Sequence, residues 1–314
     1  MKNLFLSFVL FFCSSSLMAG DFFDTFSADK INSTVYVVHG PRELPNAKNR
    51  GFMNNPAFIV AEKSVVVVDP GSSHEAGTMV LREISKVTNK PVSHIFNTHV
   101  HGDHWLANEI IQQSYPDVKI IADPRMIKKA RAGEAQTWID NMISMTEGAT
   151  KGTKIAYPEV AVSDGKQLKV AGLTFNIHSV GIAHSGTDIM LEYVEGSTFF
   201  TGDNVGYLRL LRMNDGSFRD VIKALDRAIS LKKKYYVPGH GPTGGIELVE
   251  LQREYFDTLY NLVAEYNDEG LEDFEMKPKI EAALVKFKDW SGFDDEIGRH
   301  ISLAKLEVEK AEFE

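Results

Sequence analysis

Cysteine is almost absent from this chain of 314 residues, which contains only one, Cys13. Cys13 lies in an N-terminal segment that we expect to be removed, so the mature protein would contain no cysteine. A cysteine-free chain excludes a disulfide framework, a thiol nucleophile and a zinc site built on thiolates. Any metal ion would therefore be bound by histidine, carboxylate or water ligands.

Basic residues are scarce relative to acidic ones, with 34 Lys and Arg against 43 Asp and Glu, and the formal net charge is −9. The charge becomes −10 when Lys2 is lost with the N-terminal segment, because −9 loses one positive charge. Nucleic-acid-binding proteins need a basic surface, which an acidic chain is unsuited to provide. We therefore expect a small-molecule substrate and no nucleic-acid partner, and the sequence predicts no oligomeric state.

The N-terminal apolar run, residues 4–12, is too short to span a bilayer. It follows a basic start at Lys2 and precedes a stretch that ends in small residues. This order is typical of a secretory signal peptide, so we expect residues 1–19 to be cleaved and the protein to be exported to the bacterial periplasm, without stable membrane insertion. A membrane anchor is disfavoured by the short run, and a lipoprotein site at Cys13 by the bulky side chains before it.

Four side chains of the metal-binding type lie within six residues: His99, His101, Asp103 and His104. Residues 91–96 have the pattern of a short buried strand and a helical pattern begins at Leu106, so the four lie on a strand-to-helix turn. The two histidines spaced two residues apart face one side of an extended segment, whereas the adjacent Asp-His pair faces elsewhere. We expect Gly102 to let the backbone turn between the two pairs. One turn thus offers donors to two neighbouring metal ions, as hydrolytic two-metal sites require.

The spacing His99-x-His101-x-Asp103-His104 resembles the signature of the metallo-β-lactamase superfamily of hydrolases, and a chance cluster of surface histidines is a poor alternative for it. That family takes its remaining ligands from a distant histidine, then an aspartate, then another histidine. The chain offers all three in that order, each on a glycine-containing loop or at a strand end: His184, Asp203 and His240. The resemblance covers roughly residues 35–242.

The resemblance implies an α/β fold, a four-layer αββα sandwich with a C-terminal helical extension. Strand patterns at residues 35–38 and 57–69 and a helical pattern at residues 75–86 agree with a layered α/β architecture. A long amphipathic helix then begins a helical and charged remainder. We expect a metallo-β-lactamase-like catalytic domain at residues 20–245 and a helical extension, residues 246–314, packed on the same domain.

The resemblance also implies a site for two zinc ions with the ligand set of glyoxalase II; iron or manganese are alternative metals. The ligands of one zinc would be three histidines: His99, His101 and His184. The ligands of the other would be an aspartate and two histidines: Asp103, His104 and His240. Asp203 would bridge the two ions. A hydroxide held between them, with a pKa of about 7, would attack the substrate carbonyl, and Asp103 would orient it as the catalytic carboxylate.

Asp69 ends an apolar strand, where a carboxylate either caps a helix or supports a metal ligand. The family has an aspartate at the end of an equivalent strand, so we expect the supporting role. His74, just after Asp69, and two residues beyond the bridging aspartate, Asn204 and Tyr207, are expected on the substrate side. A loop rich in Gly, Pro and Asn, residues 40–55, is expected to form a mobile flap over the metal site.

These observations predict a dizinc hydrolase that cleaves an ester, thioester, lactone or lactam-type carbonyl. The absence of cysteine excludes β-lactamases with a cysteine ligand, and Asp203 disfavours the branch whose metal carboxylate is a single aspartate. His101 disfavours flavodiiron proteins, which have glutamate there. The basic pattern with which glyoxalase II binds glutathione is absent after His240. A mononuclear iron persulfide dioxygenase, which would use two histidines and one aspartate, and a true β-lactamase of the same superfamily remain as alternatives.

Overall fold

The computed structural model describes residues 21–311 and residue 313. The predicted signal peptide, residues 1–19, lies outside these described residues. The first of two sheets has seven strands: β1 (Asp29–Lys30), β2 (Val35–Val37), β3 (Ala57–Val60), β4 (Val65–Val68), β5 (Val92–Phe96), β6 (Lys119–Ala122) and β7 (Val160–Ala161). The second has five: β8 (Gln167–Val170), β9 (Leu173–His178), β10 (Met190–Tyr193), β11 (Thr198–Gly206) and β12 (Tyr235–His240).

The helices of the described residues connect and cover these strands: α1 (His74–Val87), α2 (Gly102–Trp105), α3 (Asn108–Ser114), α4 (Pro124–Lys129), α5 (Ala135–Met145), α6 (Phe218–Ser230), α7 (Ile246–Asp268), α8 (Asp273–Ala283) and α9 (Phe293–Ala311). A π-helical turn, Ala130–Glu134, separates α4 from α5, and Gly133 within it has a φ of 120°. That positive φ lets the chain change direction there. α5 consequently leaves the line of α4.

Parallel pairing decides where the loops meet. The strands of the first sheet follow sequence order, antiparallel from β1 to β4 and parallel from β4 to β7. The second sheet has the order β12-β11-β10-β9-β8, with a parallel pair between β11 and β12. The carboxyl ends of β4 and β5 therefore lie at one edge, as do those of β11 and β12. Most of the predicted ligands lie on or just after these strand ends.

Strand β4 shows how the layers are built, because it consists of four consecutive buried valines. Val66 and Val68 face the second sheet, in an apolar core that also contains Phe96 and Phe175, whose ring centroids are 5.0 Å apart. The other two valines face α1 and α3 on the opposite side. A strand that is covered on both faces needs no alternation of polar and apolar residues. The uninterrupted apolar run of β4 is the result.

Helices α6 to α9 cover the outer face of the second sheet in one continuous apolar cluster, which includes Phe199 and Tyr236 of the sheet and Phe218, Tyr255 and Ile301 of the helices. The layers are thus α1 and α3, two sheets, and α6 to α9, which confirms the predicted αββα sandwich with C-terminal helices. Within residues 21–311, no helix combines the length and apolar character needed to cross a membrane.

Two local predictions about the ligand-bearing strands are wrong. Gly102 does not serve a turn with positive φ; it begins α2, and a Cβ there would lie 2.9 Å from Cβ of Trp138. Glycine is therefore required at this position by close packing. Asp203 does not end its strand, because β11 continues to Gly206, with irregular register around Gly202. The irregular register accommodates a strand that curves past the predicted ligands.

Candidate metal centre

Strand ends and loops place seven predicted ligands around one point. The motif turn follows β5, His184 lies between β9 and β10, Asp203 lies in β11, and His240 ends β12. All seven side chains are buried except His101, which is partly buried. The structure brings them into two groups, whose potential ligand atoms lie within 4.8 Å of one another: His99, His101, His184 and Asp203 in one, and Asp103, His104 and His240 in the other.

The second group has the dimensions of a metal site. Oδ2 of Asp103 lies 3.3 Å from Nε2 of His104 and 3.2 Å from Nε2 of His240. Two atoms that are each about 2.0–2.1 Å from a tetrahedral zinc ion would be about 3.3 Å apart. In the first group, Nδ1 of His101 is 3.1 Å from Nε2 of His184, a similar spacing. Each group could therefore hold one ion with little rearrangement.

Asp203 lies between the two groups. Its Oδ1 is 3.1 Å from Nε2 of His104, and its Oδ2 is 3.2 Å from Nε2 of His240. The same Oδ2 is 3.6 Å from Nε2 of His184 and 3.9 Å from Nε2 of His99. One carboxylate thus faces histidines of both groups, which is the position that a bridging ligand needs.

Several buried polar atoms of the centre make no hydrogen bond within the described residues: Nε2 of His99 and of His104, Oδ2 of Asp103 and Oδ1 of Asp203. An unsatisfied buried polar atom costs about 1–3 kcal/mol. Imidazole nitrogens and carboxylate oxygens are ligands that zinc, iron and manganese accept. The residues therefore fit the pair of metal ions that the resemblance implies.

Asp69 fixes the motif turn. Its Oδ1 accepts a hydrogen bond from the backbone N–H of Thr98 at 2.8 Å, and its Oδ2 accepts one from the Thr98 hydroxyl at 2.7 Å. The same Oδ2 is 2.9 Å from Nδ1 of His104, which leaves Nε2 of that imidazole for a metal. Asp69 itself adopts a φ of 50°. This geometry supports the expected role of Asp69 as a support for a metal ligand rather than a helix cap.

Other predicted ligands are oriented through their second nitrogen in the same way. Nδ1 of His240 donates to the backbone carbonyl of Met53 at 2.7 Å, so its Nε2 faces the centre. Nε2 of His101 is 3.5 Å from Oδ2 of Asp215, and Nδ1 of His101 faces the first group. Such partners fix the tautomer and the orientation of a metal-binding imidazole.

The charges of the centre favour cation binding. Burial opposes charge on His104, but Asp203 and Asp103 outweigh it and raise the pKa of His104 well above its usual range. Burial acts to raise the pKa of Asp103, but His104 and His240 outweigh it and hold that pKa well below its usual range. Burial lowers the pKa of His184 to about 3. The carboxylates are therefore ionised, and a metal ion would have to displace the proton of His104.

A cavity of about 510 Å³ opens onto the centre. Five predicted ligands lie among its lining residues: His101, Asp103, His184, Asp203 and His240. Its walls come from residues 42–45, helix α5, residues 209–215 and residues 291–296. The volume is within the range of about 300–1,000 Å³ that is usual for small-molecule sites.

The three residues expected on the substrate side do not line this cavity, and the expectation for them is corrected. His74 begins α1 and its Nδ1 is 2.8 Å from a glutamate of α3. Asn204 follows Asp203 on β11, so the alternation of the strand turns its side chain away from the ligands. The ring of Tyr207 packs edge-on against Trp290, in the apolar cluster of the helices.

The loop at residues 40–55 is part cavity wall and part scaffold. Residues 42–45 line the cavity, as a flap would. Residues 51–55, in contrast, are buried. The side-chain amide of Asn55 donates to the backbone carbonyls of Pro238 at 2.9 Å and Gly241 at 2.6 Å, and these two residues flank His240. The predicted flap is thus limited to the first half of the loop, because the second half holds a ligand in place.

Sequence reasoning missed three side chains of the site. The ring of Trp138 lies 5.0 Å from that of His101, although its spacing is that of a core-facing helical residue. Asp215 approaches His101 from a loop that no motif marks. Arg209 is buried, lines the cavity and has Nη1 3.1 Å from Nδ1 of His240. Of the three, only Arg209, six residues after Asp203, lies close in sequence to a predicted ligand.

Comparison with known proteins agrees with this geometry. Residues 49–240 match the family model of the metallo-beta-lactamase superfamily. A probable metallo-hydrolase of Methanocaldococcus jannaschii is 28% identical over 203 residues, which cover 62% of this chain and 90% of that protein. A hydroxyacylglutathione hydrolase of Prochlorococcus marinus is 26% identical over 174 residues, which cover 55% of this chain and 58% of that protein.

Solved structures share the fold. A metallo-beta-lactamase from Pontibacter korlensis has a TM-score of 0.59 and 18% identity, with 74% of this chain and 99% of that chain covered. A metallo-beta-lactamase from Hirschia baltica has a TM-score of 0.56 and 17% identity, with 73% and 96% covered. At this identity the likeness shows the fold alone. Since the family match spans more than half of the sequence, the chain belongs to the metallo-beta-lactamase superfamily and is a hydrolase of that family.

Proposed function

We propose that this protein is a two-metal hydrolase, with zinc as its metal, that cleaves an ester, thioester, lactone or lactam-type carbonyl substrate. The observation that carries the proposal is the position of Asp203, whose oxygens lie 3.1 Å from His104 and 3.2 Å from His240 while also facing His184 and His99. A single ion in the first group could use Asp203 as a ligand, but it would not account for the approach of the same carboxylate to the two histidines of the second group. Two divalent ions bound there would polarise the substrate carbonyl and lower the pKa of a water molecule.

Asp103 would orient the attacking water. It lines the cavity, and although its burial acts to raise its pKa, His104 and His240 hold that pKa well below the usual range. A carboxylate with such a pKa accepts a hydrogen bond well but stores a proton poorly at neutral pH. Asp103 would therefore direct the water toward the carbonyl, and Asp69, by fixing Thr98 and His104, would keep the turn that carries it in place.

A mononuclear iron persulfide dioxygenase is the competing proposal. It would use two histidines and one aspartate, which leaves the other side chains without a role. Asp103, His104 and His240 are each at most 2% exposed, so the second group is as deeply buried as the first. Its unsatisfied atoms would remain uncompensated if one ion occupied the first group. We therefore favour two ions.

The substrate class is supported by a relative and by the size of the cavity. The relative from Prochlorococcus marinus is named a hydroxyacylglutathione hydrolase, which favours acyl substrates for this chain. The cavity of about 510 Å³ fits a small molecule. We also propose that the protein acts after export to the periplasm, as the composition of residues 1–19 favours.

Metal analysis and a substrate screen test the proposal. We expect the purified protein to contain two equivalents of zinc and to hydrolyse at least one of a thioester, a lactone, an aryl ester and the lactam nitrocefin. Asp103→Asn should lower kcat by about 10²–10⁴, as expected for a lost acid–base or orienting group, whereas Asp117→Asn, at an exposed carboxylate that does not line the cavity, should not. One equivalent of iron, or hydrolysis of a phosphodiester alone, would reject the proposed function.

A further inference from the structure

The C-terminal helices build one wall of the cavity. Residues 209–215 form this wall together with residues 291–296. Leu210 and Leu211 of the first segment are buried residues that line the cavity. The other apolar side chains that line the cavity lie on the flap, on the buried half of its loop and on α5: Leu44, Pro45, Met53, Trp138 and Met145. Beyond the metal centre, the cavity is therefore lined substantially by hydrocarbon.

Backbone hydrogen bonds to the C-terminal region hold this wall. The Leu210 N–H donates to the carbonyl of Ser291 at 2.9 Å, and the Ser291 N–H donates to the carbonyl of Leu208 at 3.0 Å. The Leu211 carbonyl accepts a hydrogen bond from Nε2 of His300 at 2.8 Å. These partners lie beyond residue 240, where the family match ends. The wall is thus held by a part of the chain that lies outside the family match.

His300 is the centre of that support. It is fully buried on α9, and its Nδ1 accepts a hydrogen bond from the Tyr255 hydroxyl of α7 at 2.8 Å. Burial lowers the pKa of His300 to about 4, so the imidazole is neutral and has one donor and one acceptor. Both ring nitrogens are hydrogen-bonded: the donor to the Leu211 carbonyl and the acceptor to the Tyr255 hydroxyl. A purely structural role would end inside the helical core, whereas this chain of bonds ends on a residue that lines the cavity.

The cavity is lined by charges of both signs. Its acidic residues, apart from the predicted ligands, are Glu43, Glu134, Asp215, Asp295 and Glu296, and its basic residues are Arg42, Arg209 and Arg212. Glu296 is engaged by Arg212, whose Nε lies 3.2 Å from Oε1. These opposite charges leave the apolar surface as the feature that discriminates between substrates. An apolar group beside the scissile carbonyl gains free energy when it leaves water for this wall.

We propose that the C-terminal helices are a substrate-recognition element: they hold residues 208–215 as an apolar wall that receives an alkyl or aryl group of the substrate, and His300 is the positioning residue of that wall. The proposal rests on the proposed function, which places the scissile carbonyl at the metal centre. It names the substrate class as carbonyl compounds with an apolar alkyl or aryl group.

Three probes separate the wall from the metal centre. Acetohydroxamic acid carries a metal-binding head alone, 4-phenylbutanohydroxamic acid adds an apolar tail to the same head, and 4-phenylbutanol has no metal-binding head. The variants are His300→Leu, which removes the donor to Leu211, Tyr255→Phe, which removes the hydroxyl, and His300→Gln, which retains an amide donor. Dissociation constants are measured on metal-loaded protein, with metal content and amide hydrogen exchange of residues 208–215 recorded for each variant.

We expect His300→Leu to bind the long hydroxamate about tenfold more weakly, which corresponds to about 1.4 kcal/mol, with the affinity for acetohydroxamic acid and the metal content unchanged. His300→Gln should recover most of the loss, and exchange of residues 208–215 should be faster in His300→Leu. Tyr255→Phe should lie between wild type and His300→Leu. An unchanged ratio of the two affinities, an equal loss for both hydroxamates, or unchanged exchange of residues 208–215 would overturn the proposal.

The alcohol distinguishes failure of this inference from failure of the proposed function. If acetohydroxamic acid does not bind to wild type while 4-phenylbutanol binds and is lost in His300→Leu, the two-metal function fails and the wall stands. If the hydroxamate head binds but the alcohol does not, or binds equally to both proteins, the wall proposal fails and the metal function stands.

Discussion

Replacement of Asp203 by alanine tests the centre most directly. The carboxylate is 7% exposed and faces imidazole nitrogens of both groups at 3.1 to 3.9 Å. A pair of unit charges 4 Å apart interacts by about 4 kcal/mol at an effective permittivity of about 20. If two divalent cations are bound, loss of this carboxylate would leave Asp103 as the single aspartate among the predicted ligands. The three histidines that remain of the first group, His99, His101 and His184, should still hold one ion.

We therefore expect Asp203→Ala to retain one equivalent of metal and to bind the second with a dissociation constant about 10³-fold higher, the equivalent of about 4 kcal/mol. kcat should fall by about 10² or more, as when an electrostatic stabiliser is lost. Asp203→Asn keeps the volume of the side chain and removes its charge, so a similar loss in both variants would assign the effect to charge.

The assay is metal content after exhaustive dialysis, followed by titration of the second ion with a competing chelator. Glu134→Gln serves as a control at the cavity wall. If wild type and Asp203→Ala both retain two equivalents with equal affinity, Asp203 does not lie between the ions. If wild type itself retains one equivalent, the two-metal function is wrong.

Four further predictions follow from the site and its surroundings. The pKa of His300 is about 4 in the folded protein against an ordinary 6.5, so between these pH values the unfolded chain binds more protons than the folded one. The free energy of unfolding should therefore fall as the pH is lowered from about 6.5 to about 4. In chemical denaturation, the free energy of unfolding of His300→Gln should fall less steeply over this range. Trp138 lies against a predicted ligand, so binding of Co²⁺ should quench fluorescence in wild type and much less in Trp138→Phe, whereas replacing either of the other two tryptophans should preserve most of the quenching. Replacing residues 42–45 by glycine and serine should raise KM more than it lowers kcat in steady-state kinetics, because this segment lines the cavity without bearing a predicted ligand; an unchanged KM would remove its role as a flap. The mature protein should begin at Gly20 or Asp21 by intact mass, and retention of Lys2 in exported material would contradict the predicted leader.

The motif turn and the layered fold could be predicted because they depend on local sequence, whereas the distant ligands His184, Asp203 and His240 were implied by the family resemblance. The spacing of His99 and Asp103 on one turn is a property of a few residues, and the apolar run of β4 is readable as a strand covered on both faces. The reason for glycine at position 102 could not be predicted, because it depends on Trp138, which packs onto Gly102 from another helix. His300 could not be predicted as a support for the cavity, since its partner Leu211 is 89 residues away in the sequence.

The three bonds that converge on Asp69 have a consequence for metal identity. They hold the turn and the His104 ring through contacts within the protein, so the ligands are arranged by folding rather than by the ion. In small zinc domains the opposite holds, because metal binding and folding are one event. The predicted ligands are all nitrogen and oxygen donors, which several divalent metals accept, and in a cell raw affinity does not decide among such metals. Which ion the centre carries is then decided largely by the supply of metals where the protein folds.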